Sequence, residues 1–155
     1  MPEDIDDEFA RRLREVTASV AGLDEEEALR VLDLRLRRAE ANGLVRHRLS
    51  LARARGSLAL ALGTGAEHDV VASLQTMVAT IEESGPVGPI PLSEADDPEL
   101  TANLAELLQC HHQNAIAILQ VIAKLSVAGS EPELVATLEG FLDTDLESIS
   151  ELEAR

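Results

Sequence analysis

Apolar residues recur along most of this chain at spacings of three and four, and almost nowhere in strict alternation. That is the period of an amphipathic helix, which returns residues i, i+3, i+4 and i+7 to one face. Ile5, Phe9, Leu13, Val16 and Val20 predict a first helix from about Asp4 to Val20. Asp24 and Glu27 have capping-box spacing and open a second, striped by Ala28, Leu29, Leu32, Leu36 and Ala39. Asn42–Gly43 is a helix-ending dipeptide and predicts its stop. A third helix covers Leu44 to Leu62, ending at Gly63-Thr64-Gly65. Thr64 and Glu67 suggest a cap for a fourth, whose face holds Val70, Val71, Leu74, Met77, Val78 and Ile81.

Three prolines and two glycines then fall between Ser84 and Asp97, a density that forbids a helix or a central strand. This segment reads as a linker or lid between two halves. Asp97 followed by Pro98 starts the longest helix, which runs to about Ala128 before Gly129. Ser130 and Glu133 cap the last one. The expected architecture is all-α: a bundle of about six helices in one domain, 1–155. Its halves lie at about 4–84 and 98–154, with the Pro/Gly-rich loop at 85–97.

The informative positions are those where a stripe is broken. Leu104, Leu108, Ala115, Ile118, Ile122 and Leu125 line the long helix, and His111 occupies the slot where an aliphatic residue belongs. Asn114 sits toward one edge of that stripe, while Cys110 and His112 lie on opposite flanks. In the last helix Leu134, Leu138, Phe141, Leu142, Ile149 and Leu152 make a stripe broken by Asp145. A buried carboxylate needs a partner. If the last two helices form an antiparallel hairpin about Gly129–Ser130, His111 and Asp145 fall within roughly three residues, or about 4.5 Å, of the same level. They are expected to meet.

The third helix has no acid but carries Arg46, Arg48, Arg53 and Arg55. In the first two helices, by contrast, Asp7–Arg11, Glu8–Arg12, Glu26–Arg30 and Asp33–Arg37 set an arginine four residues after an acid, an ordinary solvated ladder. Those of the third helix must find carboxylates in another element or an anionic ligand, because arginine stays charged.

Composition narrows the partners. The net charge of −16 argues against nucleic acid and against an anionic membrane surface. Two phenylalanines, no Trp and no Tyr leave no base-stacking platform. No apolar run reaches the length of a membrane span. A single cysteine and an acidic start point to the cytoplasm. Neither H-x-x-x-H nor E-x-x-H occurs, so no metal is expected. Residues 143–154 lack the glycine and terminal glutamate of a calcium loop, and Gly63–His68 lacks a phosphate-loop lysine. No cofactor is expected either.

Two functions follow. The first is a non-enzymatic or accessory helical subunit that binds a partner protein through amphipathic helices, in a homo- or hetero-oligomer. The alternative is a subunit of a bacterial biosynthetic enzyme, suggested by a single lysine among 13 basic residues. There Arg46, Arg53 and Asn114 would hold a carboxylate, phosphate or sulfate group, and His111, oriented by Asp145, would act as acid/base or hydrogen-bond donor.

Overall fold

The computed structural model describes residues 3–85, 97–129 and 131–154. Most of the expected loop, 86–96, and the proposed cap Ser130 lie outside the described residues. Five helices appear in the order α1 (Glu3–Val20), α2 (Glu25–Thr64), α3 (His68–Ser84), α4 (Pro98–Ala128) and α5 (Pro132–Glu153), with no strand among the described residues. The fold is all-α. No helix among the described residues is long and apolar enough to cross a membrane.

The expected second and third helices are one helix, α2, of 40 residues and about 60 Å. Asn42–Gly43 does not end it. A helix stop there requires a left-handed glycine, but Gly43 stays helical. The Asn42 side chain is instead buried among hydrogen bonds to distant residues: its amide donates to Asp97 Oδ2 at 3.1 Å, and its carbonyl accepts from Asn103 at 3.1 Å. Tertiary partners outweigh the local turn preference.

Other end signals act as the pattern predicts. Asp24 Oδ1 accepts from the Glu27 amide at 2.8 Å. Asp97 Oδ1 accepts from the amides of Glu99 and Leu100 at 3.1 and 3.2 Å, with Pro98 at the first helical position. Gly129 closes α4 in the left-handed region at φ 66°. Thr64 does not cap α3. It remains in the last turn of α2, where its hydroxyl donates to the Leu60 carbonyl at 2.9 Å. Glu67 stands at that cap and Glu131 at the cap of α5, neither with a side-chain capping bond.

The chain divides into two compact units, Met1–Glu40 and Ala41–Arg155. The first consists of α1, the Ala21–Asp24 turn with Gly22 at φ 82°, and the opening turns of α2. None of its described side chains is buried. The second contains the rest of α2 with α3, α4 and α5.

In this second unit α2 presents Asn42, Val45, Leu49, Ala52, Gly56, Ala59 and Gly63 at alternating spacings of three and four. Small residues fill its later part, so the α4 side chains come down onto the helix backbone. A Cβ at Gly56 would overlap the Asn114 carboxamide, and one at Gly63 would overlap Val121. α4 and α5 pack as the expected hairpin.

The core lies in two apolar clusters. One joins Val45, Leu49, Ala52, Leu100, Leu107 and Leu152; the other joins Ala59, Ile118 and Leu138, with Phe141 and Leu142 packed against it. Between them in sequence, on both α4 and α5, stand the interrupting residues His111 and Asp145.

The glycines of α2 provide a test of this packing. Gly43 is helical and a methyl group there would meet nothing within 4 Å, so Gly43→Ala should stabilise the protein by roughly 0.5–1 kcal/mol. Gly63→Leu should instead cost about 1–3 kcal/mol through overpacking against Val121. Urea unfolding of the two variants should therefore move the midpoint in opposite directions.

Candidate functional site

His111 and Asp145 do meet. Nδ1 and Oδ1 are 2.8 Å apart, and the residues are 8% and 6% exposed. Helical period brings them together: each lies on the apolar stripe of its helix, and the antiparallel hairpin sets them at one level. A carboxylate accepting from Nδ1–H leaves Nε2 unprotonated in the neutral ring. It is therefore the nitrogen available for outside chemistry. His111 lines a cavity of about 290 Å³ between α2, α4 and α5, together with Arg48, Arg55 and Glu147.

The other expected site residues do not join this cavity. Arg46 pairs with Glu99 and Arg53 with Glu106, both on α4. All four side chains are half or more exposed. The match is periodic: arginines seven apart on α2 meet glutamates seven apart on α4, which places the two helices parallel. Arg53 lies on a shallow polar groove of about 460 Å³ with Asn114, Gln109, Gln113 and Cys110. Asn114 donates to the Ala52 carbonyl at 2.9 Å and rests where Gly56 leaves room for it. So the structure brings His111 to Asp145, and Arg53 to Asn114, but keeps these two sets in different cavities.

The arginines beside His111 are Arg48 and Arg55. Arg55 donates to Glu82 of α3 at 2.8 Å, and Arg48 stands 3.9 Å from Glu151 of α5. The acid-free stretch signalled that both needed outside carboxylates, but no local signal marked which side of α2 would face the histidine. His47 also lines this cavity, and its Nε2 is buried without a hydrogen-bond partner. Gly85 packs against that imidazole so closely that a Cβ would overlap it. His112 is on the outer flank, with Nε2 3.2 Å from Glu153 Oε1. Among the described residues no group of three or more His, Cys, Asp or Glu could hold a metal ion.

Cys110 is half-buried, and its thiol titrates above the ordinary cysteine range. Burial is the largest cause; Arg53 opposes it, and the carboxylates of Asp145 and Glu106 add to it.

These contacts can be tested in two ways. His111→Leu or Asp145→Leu alone strands a buried polar partner and should cost about 1–3 kcal/mol, whereas the double variant should regain much of the loss. A double-mutant cycle in urea reads that coupling. For Cys110, the thiolate needed for reaction forms only at high pH, so labelling by a disulfide reagent should be slow at neutral pH. Arg53→Gln removes the opposing charge and should slow labelling further at any given pH. Because the folded state holds this proton more tightly than the unfolded chain, its stabilising contribution is complete below the unfolded thiol pKa. It is lost as pH rises through the folded one.

No protein-family model, curated protein or solved structure matches this chain, so what the site can do rests on its own geometry.

Proposed function

We propose that this protein is an accessory helical subunit that binds a partner protein through the amphipathic helices of its first unit. The observation that carries this reading is a stripe left uncovered. In α1, Phe9 and Leu13 are 68% and 55% exposed; in the opening turns of α2, Leu29 and Leu36 are both 59% exposed. A single exposed leucine means little, but these residues occupy the positions that helical period assigns to a buried face.

A pair of helices that buries none of its described side chains has little to offset its conformational entropy. Burying a leucine or phenylalanine contributes roughly 1.5–3 kcal/mol, so covering this stripe with a second surface supplies what the unit lacks alone. On the polar side of α2, Arg30 already pairs with Glu26 at 3.0 Å and Arg37 with Asp33 at 3.1 Å. The partner is therefore recognised by apolar contact more than by charge. The single cysteine suits a cytoplasmic setting for this assembly.

The enzyme alternative, with an anion held by Arg46 and Arg53 beside His111, draws less support. Both arginines carry glutamate partners, and neither lines the histidine's cavity.

Light scattering with size-exclusion chromatography tests the proposal. The wild-type chain should run as a self-assembly or as a stoichiometric complex with a co-expressed partner. Leu13→Glu combined with Leu36→Glu should reduce it to a 16.6 kDa species while leaving the thermal transition of the second unit in place. A wild-type chain that stays monomeric and binds no partner overturns the reading, as does a double variant that assembles like wild type.

A further inference from the structure

The cavity beside His111 has features that a partner-binding role does not use. Its walls come from three helices with different chemistry. α2 contributes Arg48 and Arg55, two turns apart; α5 contributes Glu147 and Glu151, one turn apart; α4 contributes the imidazole of His111. Since α2 runs parallel to α4, and α5 antiparallel to it, α2 and α5 are antiparallel. Arg48 already stands level with Glu151. Counting back from that pair puts Arg55 level with Thr144; of the two carboxylates beside it, Asp145 is engaged by His111, and neither Asp143 nor Asp145 lines the cavity. Glu147 lies three residues further along, about 4.5 Å.

One end of the cavity is thus cationic and the next level along is anionic, with His111 beside them. Arg55 gives one Nη to Glu82 and has further N–H donors to offer. Thr144 donates its hydroxyl to the Gly140 carbonyl at 3.1 Å, so toward the cavity it can only accept. With Glu151 already beside Arg48, a simple dianion held at Arg55 would face Glu147 without compensation. At about 290 Å³ the space is at the lower limit for small-molecule sites. It contains an apolar wall in Leu51 and Ala52.

We propose that this cavity binds a small zwitterion of the amino-acid class: Arg55 takes its carboxylate, Glu147 takes its ammonium group, and His111 accepts an ammonium hydrogen at Nε2. Asp145 is the positioning residue, holding the ring in the tautomer that leaves Nε2 free to accept. Arg55 and Glu147 line one cavity from facing helices, which suits a ligand carrying both charges, and this complementarity rejects a plain anion.

The test uses the full chain and the long-range proton–nitrogen NMR signals of the His111 imidazole. Each proteinogenic amino acid is titrated in turn to millimolar concentration, with its N-acetyl derivative and inorganic phosphate as controls. At least one free amino acid should shift Nε2 saturably, while its N-acetyl form and phosphate should not. Arg55→Gln and Glu147→Gln should each weaken that binding about tenfold or more, the loss of one charge-assisted contact. Arg53→Gln, on the other groove, should leave it unchanged. Glu82→Gln separates binding from folding: it removes the structural partner of Arg55 but keeps the guanidinium, and should retain or tighten binding. The proposal is overturned if no amino acid shifts the imidazole, or if acetylated forms or phosphate bind equally well. It is also overturned if Glu82→Gln loses binding as Arg55→Gln does in a folded protein.

Discussion

A buried imidazole and a buried carboxylate must face each other, and that requirement orders the second unit. Apolar contacts between α4 and α5 are non-directional, since leucines one turn out of step still touch other leucines. The His111–Asp145 pair tolerates no such slip, because moving either helix by one turn would leave two unsatisfied polar groups in the core. Such a pair adds little net stability over well-packed aliphatics, but it discriminates among packings of similar energy. The Asn114 bond to the Ala52 carbonyl does the same for α4 against α2. Two directional contacts less than a turn apart on α4 engage α5 and α2 respectively.

Much of this arrangement was legible in the residues themselves. The interruption of two aliphatic stripes identified His111 and Asp145, and the short connection at Gly129 put them at one level. The acid-free run from Leu44 to Leu62 foretold arginines reaching to other elements, and Glu82, Glu99, Glu106 and Glu151 receive them. What could not be read was which carboxylate each would take, because that depends on the direction in which helices far apart in sequence run past each other. Asn42 is the clearest case. Its partners lie 55 and 61 residues away, and only they explain why an asparagine–glycine step remains inside a helix.

The same limit separates the site residues. Arg53 and His111 were both conspicuous by pattern, and the alternative enzyme reading had them converge. Arg53 meets α4 at Glu106 and Cys110, and Cys110 and His111, neighbours in sequence, point about 100° apart on that helix. The arginines that reach the histidine, Arg48 and Arg55, are equally spaced and equally free of local acids. Sequence symmetry between the two pairs concealed which side of α2 would face the cavity with His111 and α5.

The uninterrupted course of α2 has a kinetic meaning. Starting a helix is the costly step, and extending one already begun is cheap. Residues 25–40 belong to a unit without buried side chains among those described, yet they extend a helix whose remaining turns are packed against α4. For them helix formation is propagation from a formed template, not nucleation in open water. The first unit can thus hold one preformed helix without a core of its own, and the conformational entropy still to be offset there falls mainly on α1.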